Sequence, residues 1–546
     1  MSRLLETAPQ DLMIAKLLEA RAADAPDDIF FTWQDSSTTH REFNSGVNQM
    51  ARNLLVRGIG PSTHVAVLMD TSPDYLTLWF ALAKVGAVEV PLNTAYRGDL
   101  LVHAMQTSRA TVCILDDRYR PQLTAVQESL TFLKEVVIRE GGEPANDLGV
   151  TVSDFNALKA QADAGNLQAL ASFDSIGGVI FTSGTTGPSK GVMLSHHYLT
   201  SYGYMYAEIN ELTNDDVIFN YLPFFHLGAK FLTIATLVCH GRMHLVPRLS
   251  IGSFWDEVRA QGVTNFVAVG GVCSMLLARP PAENDSDSSI RTIYAVPDPA
   301  SIHDELERRF GCRLTTVFGS TEAGLPICRS ATDEYRPGSC GRISPFYEVV
   351  LVDENDIPVA TGETGEIVVR PKKPWLIGSG YIGMPERTVE SWRNLWLHTG
   401  DRARRDEDGF FFFEDRISDS IRRRGENISS YEVEQLIGKH PAVAEVAALP
   451  AVSEVGEDEV WILVILREGH SVTHEELLLH CEATMPYFMI PRYIEIVTEL
   501  PRTPTAKVEK YKLRKAGPSS ATWDRDRNGW ALSRRGLERL KDQAAG

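Results

Sequence analysis

Apolar residues recur at helical spacing over 44–57, 74–85 and 98–107, and a short β-rich run follows each, at 64–69, 88–91 and 110–115. A period near 3.6 residues gathers apolar side chains on one helix face, whereas short β-branched runs between turn residues read as buried strands. Alternation of the two makes βαβ units, so the pattern predicts a mostly parallel sheet covered by helices. It returns further on, with a helix expected over 301–310 and a strand over 314–317. Over 344–370 the strands crowd together around turn residues at 354–355 and 362–365, which predicts a β-rich subdomain. Beyond Arg416 the order becomes strand, helix, strand, strand, helix, strand up to Arg514, enough for a small α+β domain of about 100 residues. The expected fold is therefore α/β. A large N-terminal domain spans 1–417, a small C-terminal α+β domain spans 418–515, and a polar tail spans 516–546, with Trp523 and Trp530 as candidate docking anchors.

Composition narrows the function. The chain is 43% hydrophobic and 23% charged, a globular balance. Its formal net charge of -18 lacks the basic stripe that nucleic acid binding needs, so no nucleic acid partner is expected. Any anionic ligand has to be held by local positive sites against a repulsive overall field. The seven cysteines are scattered singly with no CxxC pair, which favours free buried thiols in a reducing cytoplasm over a disulfide framework or zinc site. The N-terminus has no signal-peptide pattern. The longest apolar runs, 231–239 and 266–278, fall short of the roughly 18 residues of a membrane span.

Four segments carry chemistry. "FTSGTTGPSKGVMLSHH" (181–197) follows an apolar strand-like stretch and mixes Ser183, Thr185, Thr186 and Ser189 with Gly184, Gly187, Gly191 and Lys190. Backbone N–H groups of such a turn form a nest for phosphate, hydroxyls add donors, and the lysine adds a mobile charge. It is not a Walker loop, because Ser189 precedes Lys190, a strand is expected at 192–194, and the helix begins only after Ser195 as N-cap. "VFGSTEAG" (317–324) lies at a strand end, where α/β sheets bind ligands. Phe318 there could cover a flat base and Glu322 could hold Mg²⁺, although a glycine turn with a capping Glu explains the run equally well. In the third segment Asp401 follows a glycine at a strand end, a position suited to ribose hydroxyls, and Arg416 reads either as a ligand contact or as a surface ion pair. Arg422, Arg423 and Arg424 form the densest basic cluster, either a phosphate receptor or a solvated face. In "LPRTPTAK" (500–507) two prolines stiffen the approach to Lys507, which near phosphates would stabilise developing charge.

Together these segments resemble the adenylate-forming superfamily of acyl-CoA ligases, nonribosomal adenylation domains and luciferases, over nearly the whole chain. "LPFFHLGA" (222–229), "GYIGMPERT" (380–388), "HTGD" (398–401), "RISDSIRRRGENISSYEVE" and "PRTPTAK" add to the match. The resemblance implies a two-step reaction. A carboxylate attacks the α-phosphate of ATP to give acyl-AMP and pyrophosphate, and the thiol of coenzyme A then displaces AMP. It implies that Thr182, Ser183, Gly184, Thr185, Thr186, Gly187 and Lys190 hold the β- and γ-phosphates. Phe318 stacks on adenine beside Gly319 and Ser320, Thr321 contacts the α-phosphate, and Glu322 binds Mg²⁺. Asp401 and Arg416 take the ribose hydroxyls, and Lys507 bridges the carboxylate and α-phosphate. Ser418 is the hinge about which the small domain swings between steps. The swing withdraws Lys507 and brings Gly425, Glu426 and Asn427 to the thiol tunnel, with Arg422 toward the CoA phosphates. His226 gates that tunnel on this reading; a satisfied core histidine is the plain alternative.

The chain departs from the family pattern at 294–301, where "YAVPDPAS" replaces a Gly-Gly-Ala-Pro stretch that touches adenine and acyl group. Asp415 and Ala506 also replace glycines before Arg416 and Lys507. The altered stretch and "RRRGENIS" resemble the crotonobetaine/carnitine-CoA ligase branch most. The expected partners are a small carboxylic acid and CoA. A carrier protein enters only if the chain is a stand-alone adenylation domain, a non-adenylating homologue is the third reading, and a homodimer is left open. Under the two-step scheme, Lys507→Ala abolishes acyl-adenylate formation but leaves thioester formation from supplied acyl-adenylate, measured as separate half-reactions; equal loss of both contradicts the scheme.

Overall fold

The computed structural model describes residues 2–540 apart from 142–147, 183–188, 270–271, 301, 417–419, 424, 453–456, 502–507 and 509. The chain divides into two compact units. The first comprises Met1–Thr94, Ala104–Phe181 and Gly191–Asp415, and the second comprises Ala95–His103, Thr182–Lys190 and Arg416–Gly546.

Two sheets dominate the larger unit. One runs in the order Thr151–Asp154, Glu135–Arg139, Val112–Asp116, His64–Leu68, Val88–Pro91, Ile176–Thr182 and Lys190–Ser195, with parallel pairing along its first six strands. The other has nine strands, parallel through its middle and closed at both ends by antiparallel pairs. The expected β-rich subdomain is a four-stranded sheet of Tyr347–Val352, Thr364–Pro371, Leu397–Arg405 and Phe411–Arg416.

The helices Pro73–Val85, His196–Ile209 and Leu227–Cys239 are buried along almost their whole length. Helices apolar all round belong inside a large core, and these share one hydrophobic cluster with Val65 and Val67 of one sheet and Ile218 and Met243 of the other. Local chemistry sets their ends. Ser72 accepts from the Tyr75 N–H with Pro73 in the first turn, and Gly86, at φ +73°, ends that helix. Ser195 accepts from the Tyr198 N–H, so it is the N-cap expected of it.

The second unit contains the hairpin Ser420–Arg423 with Glu426–Ser429, turned at Gly425 (φ +81°). Its main sheet is Val443–Val452, Asp458–Leu466, Tyr493–Ile496 and Trp523–Asp524, with helices Ser430–Ile437, His474–Thr484 and Lys510–Ala516. Beyond Ala516 the chain is still folded: Trp523 pairs into that sheet and stacks on His474, and Trp530 Nε1 donates to Glu475.

A buried ion pair interrupts the larger unit's core. Lys230 Nζ donates to the Glu89 carboxylate at 2.8 and 2.6 Å, with 2% and 1% of the two side chains exposed. The Tyr75 hydroxyl donates to Glu89 at 3.0 Å, and the ammonium lies 4.3 Å from the Trp79 ring centroid. Breaking a buried pair strands the remaining charge. Lys230→Ala is therefore expected to lower the stability of this unit by about 3–5 kcal/mol, read from the denaturant midpoint; a loss below about 1 kcal/mol would contradict the pair's importance.

Candidate active site

The strand Arg313–Ser320 carries the 318–322 run at its carboxyl end, parallel to Thr292–Val296 on one side and antiparallel to Gly324–Arg329 on the other. The register breaks between Phe318 and Ser320, and this bulge re-aims the chain. A Cβ on Gly319 would collide with the Gly324 carbonyl oxygen, so only glycine fits. The Ser320 hydroxyl accepts from the Ala323 N–H at 3.0 Å, and the Tyr198 hydroxyl donates to the Thr321 carbonyl at 3.0 Å. Thr321 is thus fixed through its backbone from the His196–Ile209 helix.

Glu322 is held from another segment. Its carbonyl accepts the Gly378 N–H at 2.8 Å, and its carboxylate accepts the Tyr381 hydroxyl at 3.2 Å. Burial and the neighbouring Glu322 charge push the Tyr381 phenol above its usual range, so it stays a donor. The same segment braces the strand after the phosphate loop: Met193 donates to Gly380, Ser379 to Met193 and Ile382 to Gly191, at 2.8–2.9 Å. A small cleft opens here between Val192, Glu322, Tyr381 and Trp392. "GYIGMPERT" is therefore the clamp on Glu322, a role its sequence does not display.

Phe318 is 9% exposed and stacks at 6.2 Å on Phe413, in the strand Phe411–Arg416. The aromatic run thus stands beside the strand that ends at Arg416. Asp401 lies in Leu397–Arg405 and is buried. Its N–H donates to the Thr399 hydroxyl at 3.2 Å, and Gly400, at φ +74°, donates to Glu366 at 3.0 Å. "HTGD" lies within this strand where its register against Thr364–Pro371 shifts, and the positive φ at Gly400 favours glycine. His226 is the N-cap residue of Leu227–Cys239, half-buried, its ring 4.7 Å from Phe225. That is no sealed core histidine.

In the second unit Thr182 and Lys190 flank residues 183–188, the expected phosphate-binding stretch, and the Thr182 hydroxyl contacts the Lys190 carbonyl at 3.4 Å. Ser189 is gripped from both sides: its N–H donates to Glu432 at 2.6 Å, and its carbonyl meets His103 Nε2 at 2.8 Å. Burial raises the Glu432 carboxyl to about 7, and the hydrogen bond from Ser189 only partly offsets it. Glu432 lies within the quoted 416–434 run, but no local pattern set it apart; its partner is 243 positions away. Gly425 turns the hairpin in which Arg422 pairs with Asn427 and Arg423 with Glu426 along the backbone. The Arg422 N–H donates to Asp458 at 3.0 Å.

The arginine cluster needs a correction. Arg423 is fully buried, pairs with Glu459 at 2.7 Å and donates to the Phe488 and Ile490 carbonyls, so it is a core cation and no phosphate receptor. Ser183, Gly184, Thr185, Thr186, Gly187, Ser418 and Lys507 lie outside the described residues.

Comparison with known proteins agrees with this geometry. The AMP-binding enzyme family matches residues 18–382, and its C-terminal domain matches 432–507. The chain is 31% identical over 482 residues to a protein named crotonobetaine/carnitine-CoA ligase from Escherichia coli O7:K1, covering 87% of this chain and 93% of that one. The protein of that name from Shigella flexneri matches to the same extent. Among solved structures, o-succinylbenzoate CoA synthetase from Bacillus subtilis superposes with a TM-score of 0.80 at 23% identity, covering 93% of this chain and 99% of that one. An amide bond synthetase from Marinactinospora thermotolerans gives 0.82 at 22%, covering 93% and 100%.

The Glu432 contact has a pH signature. A carboxyl raised in the fold from an unfolded value near 4.5 contributes stability that is full below that value and lost as pH rises through about 7. Glu432→Gln keeps an acceptor for Ser189 but cannot ionise. The variant is expected to gain stability over the parent between pH 5 and pH 8, on the order of 3 kcal/mol at most, in parallel thermal melts; a pH-independent difference would refute the assignment.

Proposed function

Because the chain belongs to the AMP-binding enzyme family, which makes it an AMP-forming acid–thiol ligase activating a carboxylic acid with ATP and passing the acyl group to CoA, we propose how its own side chains divide that work. The observation that carries this reading is the 318–322 run. It sits at a strand's carboxyl end, with its backbone tied by Tyr198 and Gly378 and its carboxylate tied by Tyr381.

Phe318 offers a ring for adenine, Asp401 accepts from the ribose hydroxyls, and Arg416 donates to the ribose oxygens. The loop from Thr182 to Lys190 binds the β- and γ-phosphates through N–H groups, hydroxyls and the lysine charge. Glu322 suits Mg²⁺ carried in by ATP, an ion that takes one or two carboxylates and fills its remaining positions with phosphate and water oxygens. Among the described residues no group of three or more His, Cys, Asp or Glu could hold a metal ion. Bound there, Mg²⁺ would neutralise phosphate charge. Lys507 neutralises the acid and α-phosphate as they meet, and Thr321 orients the α-phosphate. Holding two anions at reacting distance supplies much of the acceleration. His226, half-buried at a helix start, borders the thiol's approach, and the Gly425–Asn427 turn presents backbone to CoA after rotation about Ser418.

Seven free cysteines, six of them buried, support a reducing cytoplasm, and among the described residues no helix is long and apolar enough to cross a membrane. Crotonobetaine and carnitine, named in the relatives, are the first acids to supply. The test incubates the protein with Mg-ATP, CoA and those acids within a wider carboxylate pool, followed by mass spectrometry. AMP with an acyl-CoA product is expected. Acyl-AMP without a CoA adduct would favour loading of a carrier protein, and ADP would overturn the reaction class.

A further inference from the structure

The altered 294–301 stretch is anchored by a carboxylate. Asp298 Oδ1 accepts from His303 Nδ1 at 3.0 Å and from Arg329 Nη2 at 3.3 Å, and Oδ2 accepts from the Tyr335 hydroxyl at 3.4 Å. Its side chain is 4% exposed, His303 2% and Arg329 3%. The Tyr335 ring lies flat on His303, with centroids 3.5 Å apart, and under the Arg329 guanidinium at 5.0 Å. His303 also faces Glu307 at 3.4 Å, which pairs outward with Arg313. Two carboxylates thus meet two arginines across one imidazole, in a cluster that is buried at Asp298, His303 and Arg329 and reaches solvent at Arg313.

The placement of these groups gives the cluster its meaning. Asp298 follows the strand Thr292–Val296 by two residues. Arg329 belongs to Gly324–Arg329, directly opposite Thr316. Between those two strands runs Arg313–Ser320, which carries Phe318. The Asp298–Arg329 pair therefore spans the Phe318 strand from one neighbour to the other. The Thr316 hydroxyl, donating to the Ala295 carbonyl at 2.7 Å, adds a rung two residues before Phe318. The carboxylate is sealed and partnered on both oxygens, so it cannot serve as base or ligand; what it sets is position.

We propose that Asp298 is a positioning residue for ATP: by clamping Arg329 and His303 it holds the 296–299 turn at a fixed distance from the Phe318 strand, and so shapes the slot that receives adenine. The proposal rests on the reading of Phe318 as the adenine platform. Removing the carboxylate leaves Arg329 buried without its counter-charge, and the turn has to move to let water reach it.

The test is calorimetric binding of adenosine 5′-(α,β-methylene)triphosphate with Mg²⁺ to the full chain. Asp298→Ala is expected to weaken Kd about tenfold or more, and Asp298→Asn, which keeps the shape and one acceptor, by less. The double variant Asp298→Asn with Arg329→Gln removes both charges and is expected to return Kd to within about threefold of the parent. A merely structural role would lower the binding-competent fraction, read as stoichiometry, and leave Kd alone; that result would overturn the proposal. If Asp298→Ala does not fold, an unchanged Kd in Asp298→Asn overturns it in the same way. Phe318→Ala is measured alongside: an unchanged Kd there would sink the platform reading, while the Asp298 variants still report on the clamp.

Discussion

Three helices buried along almost their whole length, packed in one core with two largely parallel sheets, are the constraint on which the large unit depends. In α/β sheets of this kind binding groups collect where strands end. Parallel strands all end on the same side, and each crossover adds another loop there. That geometry lets a protein of net charge -18 gather local donors for a polyanion: N–H groups, hydroxyls and a few cations at loop tips, backed by a rigid floor. The Lys230–Glu89 ion pair in this interior is flanked by the Tyr75 hydroxyl and the Trp79 ring.

Around the 318–322 run, rigidity comes from outside the run itself. Tyr198 reaches it from a helix, and Gly378 and Tyr381 reach it from a loop before the strand Leu397–Arg405. Each makes one hydrogen bond, and together they leave the Glu322 carboxylate little freedom. A carboxylate tied in this way keeps its position without further loss of its own freedom, and pre-positioned groups account for much of what enzymes do. The Asp298 clamp belongs to the same logic, applied one strand further along.

Much of this was legible because it is local. Helix and strand periods placed the βαβ units within a few residues, and Ser195 announced a helix start by short-range chemistry. The phosphate loop and the strand-end aromatic, hydroxyl and carboxylate residues were visible as compact runs. What escaped are pairs that meet only in the fold. Tyr381 with Glu322, Glu432 with Ser189 and Asp298 with Arg329 are separated by 59, 243 and 31 positions. Arg423 misled for the same reason. Three arginines in a row look like a charged face, but strand alternation turns the middle one inward, where Glu459 neutralises it.

The tail has a consequence of its own. Sheets that end in an open strand expose a row of unpaired amide groups, which recruit other chains and seed aggregates. By laying Trp523–Asp524 along Tyr493 and Ile494, the chain covers part of one such edge from within. Being covalently attached, that short strand meets the edge at an effective concentration that a separate molecule does not reach.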